Sequence, residues 1–297
     1  MKALCFGSLN IDYIYNVDAF VTAEETVHSK GFAKVCGGKG LNQSIALSKT
    51  GIRTYIAGSV SSSGEMLTKY CRKFGVDTTF VNERSPVETG HAIIQVDASG
   101  QNCILLYGGA NQSIDTSQVD AVLMHFGKGD YIILQNEISN IGYIMRRAYE
   151  KGLVIVFNPS PINGSIKTYP LELVNIFIMN RVEGTALSGC GSEDYETMVT
   201  AISEQFPGSR ILLTLGNRGS IYKYKDLIWK QGIFDIPVVD STGAGDTFTG
   251  YFISRIMSGE CIRSAMETAA KASAIAVSRK GASESIPYLE EVLYSCL

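Results

Sequence analysis

Short apolar segments without polar interruptions recur along the chain, and they most strongly limit what it can fold into. They are ALCFG at 3–7, YIAGSV at 55–60, YIILQ at 131–135, LVIVFNP at 153–159, IFIMN at 176–180 and ILLTLG at 211–216. Continuous apolarity is typical of strands buried on both faces, as in a parallel sheet covered by helices. Polar segments with helical spacing lie between them. This alternation predicts an α/β fold with a doubly wound, mostly parallel central sheet flanked by helices.

Two regions depart from this alternation. Residues 13–36 and 90–108 contain extended runs typical of antiparallel strands, and the second region carries an Asp-Ala-Ser-Gly turn. We expect both to form one small β-sheet lid over the carboxyl ends of the main strands, where ligands bind in open α/β sheets. Because the chain has no long linker or internal repeat, we expect residues 1–297 to form a single domain with this lid.

The composition of the chain excludes several classes of function. The formal net charge of -3 argues against a nucleic-acid partner, because such binding depends on concentrated Lys and Arg. No stretch reaches the roughly 18 apolar residues that cross a bilayer, and the N-terminus lacks the apolar core of a signal peptide. The 7 cysteines are scattered and never spaced as CxxC. We therefore expect a cytoplasmic protein with no membrane partner, whose cysteines are small core residues.

A glycine-rich turn stands near the C-terminus, in DSTGAGDTF at 240–248. It follows an apolar pair and precedes a helical run that starts at Thr247. Unpaired N–H groups at a helix start can hold the charge of a phosphoryl group. A carboxylate beside such a site, Asp246, is suited to accept a proton from an attacking hydroxyl. A helix that is capped by Asp after a glycine-rich loop explains the same pattern.

The DSTGAGDTF segment resembles the second signature of the ribokinase family of carbohydrate kinases, also called the PfkB family. The first signature of that family is matched by VCGGKGLNQSIALSKTG at 35–51, and the two stand in the family's order. The resemblance covers essentially the whole chain. It implies a ribokinase-like fold and ATP-dependent phosphorylation of a sugar hydroxyl. It also implies that Asp246 is the catalytic base and that Gly243, Ala244 and Gly245 form the anion hole.

The resemblance further implies a sugar site assembled from separate segments. Its members are Asn10 and Asp12 in GSLNID, Gly38, Lys39 and Asn42 in GGKGLNQ, Glu137 in LQNEI, and Asp246 itself. A carboxylate at position 12 that accepts from two hydroxyls requires a polyol as substrate. Taken alone, Asn10 or Asp12 also fits an Asx turn, Lys39 a solvated loop and Glu137 the start of a helix.

Nucleotide and magnesium contacts are implied by two further segments. Asn180 and Glu183, in MNRVEG, match the family's N-x-x-E motif, in which the Asn lies on the ATP side and the Glu organises Mg²⁺ through water. The same spacing is a helix capping box, and the two interpretations are compatible. ATP contacts are implied for Thr214, Gly216 and Gly219 in TLGNRGS, and for Gly245. Where relatives often carry Asn or His against the adenine, this chain has Ala270.

A monovalent-cation site is implied by AIAVSRKGASESIP at 274–287, which resembles the loop next to the anion hole in the family. The implied oxygen ligands of K⁺ are Asp240, Thr242, Ala276, Arg279, Gly281 and Ser285. We expect this loop to help order the glycine turn that contains the anion hole.

D-ribose is the expected acceptor and ribose 5-phosphate the expected product, with ATP as co-substrate, and the family's lids often pair two chains into a homodimer. Deoxyribose, fructose, 2-keto-3-deoxygluconate or a nucleoside remain open, because one changed hydroxyl contact can change the substrate class. A catalytically silent sugar-binding protein is a further alternative. A dinucleotide-dependent dehydrogenase is disfavoured because GSLNID replaces GxGxxG after the first strand, and GGKG does not match a P-loop.

Overall fold

The continuous apolar runs form strands of one large sheet in the computed structural model, which describes residues 1–190 and 194–297. In chain order the strands are β1 (Ala3–Phe6), β2 (Asn10–Asn16), β3 (Gly31–Gly37), β4 (Thr54–Val60), β5 (Asp77–Glu83), β6 (Gly90–Val96), β7 (Asn102–Tyr107), β8 (Tyr131–Gln135), β9 (Val154–Asn158), β10 (Ile176–Asn180), β11 (Arg210–Thr214), β12 (Ser220–Tyr224) and β13 (Leu227–Gln231). The helices are α1 (Lys39–Lys49), α2 (Glu65–Lys73), α3 (Thr116–Leu123), α4 (Ile141–Glu150), α5 (Arg181–Ser188), α6 (Tyr195–Gln205), α7 (Ala244–Met257), α8 (Ile262–Val277) and α9 (Leu289–Tyr294).

The large sheet has the order β13-β12-β11-β10-β9-β8-β1-β4-β5 within the described residues. Neighbours from β11 to β5 pair in parallel, and only the β11–β12–β13 edge is antiparallel. The prediction of a mostly parallel, doubly wound sheet is therefore confirmed. The antiparallel edge ends with β13, which contains the single tryptophan of the chain, Trp229.

Apolar side chains fill a core on each face of this sheet. Along β1, Ala3 and Cys5 pack into the core that contains α1, α7 and α8, whereas Leu4 and Phe6 pack into the core of α3, α4 and α6. Successive strand residues point to opposite faces, so a strand covered on both sides must be apolar throughout. This requirement explains why the runs are continuous and not alternating.

Helices α1 and α7 approach each other closely at one glycine. A Cβ atom at Gly250 would lie 2.3 Å from the Cβ of Ala46, which is closer than real side-chain atoms come. The absence of a side chain at position 250 therefore sets the distance between the two helices. This distance matters because the N-terminal turns of both helices carry residues of the candidate site.

Strands β2, β3, β6 and β7 form a second, smaller sheet, named here the small sheet, in the order β3-β2-β6-β7. Its two hairpins are antiparallel as expected, but they join through a parallel pair, β2 with β6. Strand β2 follows β1 and strand β6 follows β5, so both start at the carboxyl ends of parallel strands of the large sheet and run in the same direction. Strand β2 also begins at Asn10, earlier than the expected boundary at residue 13.

The strands of the small sheet meet in one row beside the large sheet. Asn10 of β2 lies opposite Gly37 of β3 on one side and opposite Gly90 of β6 on the other. A Cβ atom at Gly90 would lie 2.6 Å from the side-chain oxygen of Asn10. The small sheet therefore leaves the main body of the protein at a crowded row that contains an expected sugar ligand.

Two sequence expectations about location bear on this fold. Across residues 1–190 and 194–297, no helix has both the length and the apolarity that a membrane crossing requires. All 7 cysteines are free, but the expectation that they are core residues is wrong for Cys103, Cys261 and Cys296, which are exposed. These three lie on β7, ahead of α8 and at the C-terminus, where the chain is solvated.

Candidate active site

Asp246 lies in the first turn of α7 and faces helix α1. Gly243 precedes the helix in the left-handed region (φ 75°), which lets the chain turn sharply before Ala244. The Asp246 carboxylate is only 8% exposed and accepts hydrogen bonds from Asn42 Nδ2 at 3.0 Å and Gln43 Nε2 at 2.8 Å. The alternative of a capping aspartate does not describe this geometry, because the residue that caps α7 is Gly243.

Gln43 was not among the residues expected in the site, although it stands next to Asn42 in the same motif. Its side-chain oxygen accepts a hydrogen bond from Gln135 Nε2 at 2.7 Å. Gln135 ends β8, just ahead of Glu137. The residue type was the only signal in the sequence, because a glutamine needs hydrogen-bond partners wherever it becomes buried, and both side chains are fully buried. Their pairing with each other could not be read from either segment.

Glu137 and Lys39 meet at the start of α1. The Glu137 carboxylate accepts hydrogen bonds from the Ser8 hydroxyl and, at 3.3 Å, from the backbone N–H of Lys39. Burial raises the pKa of Glu137, and the Lys39 ammonium opposes that rise. Burial also disfavours the ammonium of Lys39, but Asp246, Glu137 and Glu183 outweigh it and raise its pKa. Lys39 is therefore a cation among three carboxylates and not a solvated loop residue.

Asp12 projects from β2 toward the same group of acids. Burial, with a smaller contribution from the charge of Glu137, raises the pKa of Asp12 to about 7. A Cβ atom at Gly37 would lie 2.0 Å from Asp12 Oδ2, so the glycine leaves the space that this carboxylate occupies. Gly38 precedes α1 with a φ of 99°, a conformation that favours glycine.

A pocket of about 300 Å³ opens between the small sheet and the ends of the central strands. Its lining includes Asn10 and Glu137, together with Leu106 of β7. Asn111, which was not expected, also lines it and donates from Nδ2 to Asn10 Oδ1 at 2.7 Å. The Asx-turn alternative is not observed for Asn10, since its side-chain oxygen is bonded to a residue distant in sequence.

Asn180 and Glu183 form a complete capping box at the start of α5. The backbone N–H of Glu183 donates to Asn180 Oδ1, and the Glu183 carboxylate accepts from both the backbone and the side chain of Asn180. The charge of this carboxylate also raises the pKa of Lys39, so Glu183 lies near the Lys39 ammonium. In the described residues no group of three or more His, Cys, Asp or Glu side chains is arranged to hold a metal ion.

A second pocket, of about 480 Å³, lies on the other side of the α7 N-terminus. The structure brings four of the expected nucleotide residues to its wall, namely Thr214, Gly216, Gly219 and Gly245. Asn180 is not part of this lining. Ala270 is, together with apolar residues that were not expected: Ile233, Phe234, Val238, Phe248 and Val277. The pocket is thus mainly apolar, which suits the flat face of a base.

The expected cation loop is joined directly to the residue that precedes the glycine turn. Asp240 accepts from the backbone N–H groups of Thr242 and Gly281, each at 2.9 Å. These hydrogen bonds lower the pKa of Asp240 despite the opposing effect of burial. The carbonyl of Ala276 accepts from the N–H of Arg279 at 3.1 Å.

The remaining cation-loop residues contact other partners in the described chain. Ser285 donates its hydroxyl to the carbonyl oxygen of Ala282 at 2.8 Å. The guanidinium of Arg279 pairs with Glu291 on α9, so the side chain of Arg279 points away from the turn. The arrangement leaves the oxygens of Asp240, Ser285 and the loop carbonyls as the ligand types that a large monovalent cation would use.

Comparison with known proteins gives a consistent result. A model of the pfkB family of carbohydrate kinases matches residues 1–289. The chain is 30% identical to the ribokinase of Staphylococcus aureus, with 98% of each chain covered, and 25% identical to a deoxyribokinase of Salmonella typhi over 98% of this chain and 97% of that one. The structure of Arabidopsis thaliana ribokinase complexed with ribose and ATP aligns with a TM-score of 0.89 at 27% identity, covering 98% of this chain and 97% of that one.

Proposed function

Because the chain belongs to the pfkB family of carbohydrate kinases, we propose that it transfers the γ-phosphoryl group of ATP to D-ribose, with Asp246 as the base that accepts the hydroxyl proton. The observation that carries this proposal is the position of Asp246. Its helix begins in the wall of the larger pocket, and its amide partner Asn42 lies in the first turn of α1. The backbone N–H of Lys39 in that same turn donates to Glu137, which lines the smaller pocket. A phosphoryl group and a hydroxyl brought from the two pockets would meet beside this carboxylate.

The proposed proton acceptor is held by two donors, which leaves lone pairs on the same oxygens for a substrate hydroxyl. Asn42 and Gln43 keep the carboxylate oriented, while the Lys39 ammonium offsets the charge of the neighbouring acids. The backbone N–H groups of Gly243, Ala244 and Gly245 stand at the positive end of α7 and are assigned to the charge that develops on the transferred group. In-line transfer needs no covalent enzyme intermediate.

D-ribose is the acceptor best supported by the polar lining of the smaller pocket. Asn10 and Glu137 line this pocket, and Asp12 lies near Glu137. Carboxylate and amide oxygens of this kind accept from adjacent hydroxyls, and a ribokinase bound to ribose and ATP shares the fold. We propose that Gly38, Lys39 and Asn42 also contact the bound sugar. We also propose that the small sheet acts as a lid, as part of a single domain over residues 1–297.

ATP is assigned to the larger pocket, with its base against Ala270 and its phosphates toward Gly245. Mg²⁺ fits this site only as an ion held largely by phosphate and water, since no three acidic side chains of the described residues are arranged to hold it directly. When bound, it would neutralise phosphate charge. Asn180 and Glu183, held together by the capping box, would orient its water shell. For K⁺ we propose the oxygen ligands that are expected from the sequence.

The main alternative to this proposal is a kinase with a sugar acceptor other than D-ribose. The relationship to a deoxyribokinase at 25% identity makes deoxyribose the first competitor to test, because the two sugars differ in one hydroxyl. A catalytically silent binding protein is disfavoured because the base and both of its amide donors are present.

We also propose a homodimer formed through the small sheet, in a cytoplasmic protein whose cysteines remain reduced. Exposed apolar side chains on this sheet support the dimer: Phe32, Val35, Ile104, Leu105 and Leu106. Isolated exposed apolar residues are common, but a sheet that carries several of them is typical of an interaction surface.

The test is ADP release measured with Mg-ATP and a panel of ribose, deoxyribose, fructose, 2-keto-3-deoxygluconate and nucleosides. We expect the highest kcat/KM with ribose and a loss of about 10²–10⁴ in kcat for Asp246→Asn. Asp226→Asn, a change at an exposed turn, is the matched control. Preference for another sugar would overturn the ribose assignment, and a parental rate in Asp246→Asn would overturn the assignment of the base.

A further inference from the structure

We infer that Gln43 and Gln135 form a buried, one-directional amide relay that positions the carboxylate of Asp246, so that Gln135 acts on catalysis without contacting either substrate. The inference rests on the proposed role of Asp246 as the base. It starts from three side chains on three separate elements: Asp246 on α7, Gln43 on α1 and Gln135 at the end of β8. The two glutamines are completely buried.

The direction of the relay follows from the chemistry of its last member. An ionised carboxylate only accepts hydrogen bonds, so Gln43 must turn its NH₂ group toward Asp246, where the distance is 2.8 Å. The carbonyl oxygen of Gln43 then points to Gln135, which must present its own NH₂ group at 2.7 Å. Reversing either amide would place two acceptors against each other.

The far end of the relay is closed by a thiol. The second N–H of Gln135 Nε2 points to the sulfur of Cys5 at 3.6 Å, and the Cys5 thiol donates to the carbonyl oxygen of Gly40 at 3.2 Å. Burial raises the pKa of Cys5 to about 12, so the thiol keeps its proton. Both protons of the Gln135 amide are therefore used, which holds the amide in one orientation.

The carbonyl oxygen of the Gln135 side chain, in contrast to its NH₂ group, accepts no hydrogen bond in the described chain. This atom, Oε1, is buried. A Cβ atom at Gly7 would lie 2.1 Å from this oxygen, so the glycine makes room for it. An unpaired buried oxygen lowers the stability of the folded protein. Gln135 nevertheless adopts the orientation that directs one N–H to Gln43 and the other to Cys5.

A conservative exchange separates this inference from a purely structural role. Gln135→Glu keeps the shape of the side chain, but its ionised carboxylate cannot donate to Gln43. The Gln43 amide then lies between two acceptors and cannot turn its NH₂ group to Asp246 without placing its oxygen against the new carboxylate. We expect kcat to fall about tenfold to hundredfold, the effect of losing one hydrogen bond to a charged group. KM for ribose and KM for ATP should change little, because neither pocket is lined by Gln135.

The division between kcat and KM supplies the readout that a general packing defect would not produce. With the donor to Gln43 lost, the orientation of Asp246 is less well fixed, so kcat should fall while KM for ribose and KM for ATP stay near their parental values. Gln43→Met removes the direct donor to Asp246 and should lower kcat in the same way.

The matched control is Gln118→Glu, since Gln118 is also buried but bonds to Ser59, Gly58 and Arg84 away from the site. It should keep the parental kcat and both parental KM values. If Gln135→Glu does not fold, Gln135→Met, which removes the donor without adding charge, gives the same comparison. A folded Gln135 variant with the parental kcat would overturn the relay, provided that Asp246→Asn is inactive in the same assay. A parental rate in Asp246→Asn would overturn the proposed function instead.

Discussion

The ammonium of Lys49 lies 2.6 Å from the carbonyl oxygen of Ile286 and 3.2 Å from that of Ser283. Lys49 is the last residue of α1, and the two carbonyls belong to the segment 274–287 that contains the proposed cation loop. The ring of Phe74 packs against the ammonium at 4.5 Å. Helix α1 is thus hydrogen-bonded to the candidate site at both ends. Its first turn bonds to Asp246, and its last residue bonds to the segment that contains the proposed cation loop.

Replacing Lys49 by Met should weaken this segment. The exchange leaves two carbonyl oxygens without their donor, and we expect the free energy of unfolding to fall by about 1–3 kcal/mol, measured by urea denaturation. KM for ATP should rise, because Ala282 of the same segment lies against Gly243. Lys69→Met, at an exposed position paired with Glu65, should change stability little. Equal effects of the two exchanges would contradict the assigned role of Lys49.

Sugar binding should weaken as the pH falls below 7. The pKa of Asp12 is raised to about 7 by burial and by Glu137, so the free protein carries a protonated Asp12 below that pH. A protonated carboxyl accepts sugar hydroxyls less well. We expect kcat/KM for ribose to fall toward a limiting slope of about tenfold per pH unit. A profile that stays flat between pH 8 and 6 would be inconsistent with this assignment.

The same raised pKa predicts a trade between stability and function at Asp12. In the unfolded chain the carboxyl ionises near its ordinary pKa of 3.8, so the folded protein binds the proton more tightly. The stability due to this proton is complete below pH 3.8 and is lost as the pH rises to about 7. At pH 8, Asp12→Asn should therefore unfold at higher urea concentration than the parent while binding ribose poorly. Lower stability of the variant at pH 8 would contradict this account.

Gly250→Ala should separate helices α1 and α7. The added methyl group has no room against Ala46, and overpacking of this kind costs about 1–3 kcal/mol. Because Asn42 and Gln43 reach Asp246 across this contact, kcat should fall together with the unfolding free energy. Gly208→Ala, where an added Cβ meets no atom within 4 Å, is the control. Parental stability and rate in Gly250→Ala would contradict the claim that this contact between α1 and α7 positions Asp246.

The proposed cation site predicts activation by K⁺. Replacing K⁺ by a cation that does not bind should lower kcat and weaken sugar affinity, because the loop that bonds to Asp240 also packs on the anion-hole turn. Asp240→Ala should be slow in every salt. The site would have to be abandoned if turnover and sugar affinity were the same in both salts.

Much of this arrangement could be anticipated from short segments. Continuous apolar runs predict the parallel sheet because burial on both faces leaves no position for polar residues. The glycine turn and Asp246 could be found because their requirements are local: a left-handed residue, a helix start and an acid in its first turn. Thr214 and Gly219 were implied by the family resemblance, and the structure places both in the wall of the larger pocket.

Contacts between distant segments could not be anticipated. Gln43 and Gln135 are 92 residues apart and become partners only when α1 packs beside β8. Asn111 and Asn10 are 101 residues apart. The apolar wall around Ala270, with Phe234 from a segment outside regular structure, has no sequence pattern of its own. Tertiary packing decides such pairs, and one sequence does not state it.

The row formed by Asn10, Gly37 and Gly90 has a mechanical consequence. Three strands of the small sheet enter or leave the protein body at this row, and Asn10 lines the proposed sugar pocket. Asp12 follows two residues later on the same strand, and Lys39 follows Gly37 at the start of α1. In the proposed lid movement, the small sheet would rotate about this row and carry Asp12 with it. Binding of a sugar hydroxyl to Asp12 would then favour the closed position of the sheet, so sugar binding and lid closure would be coupled.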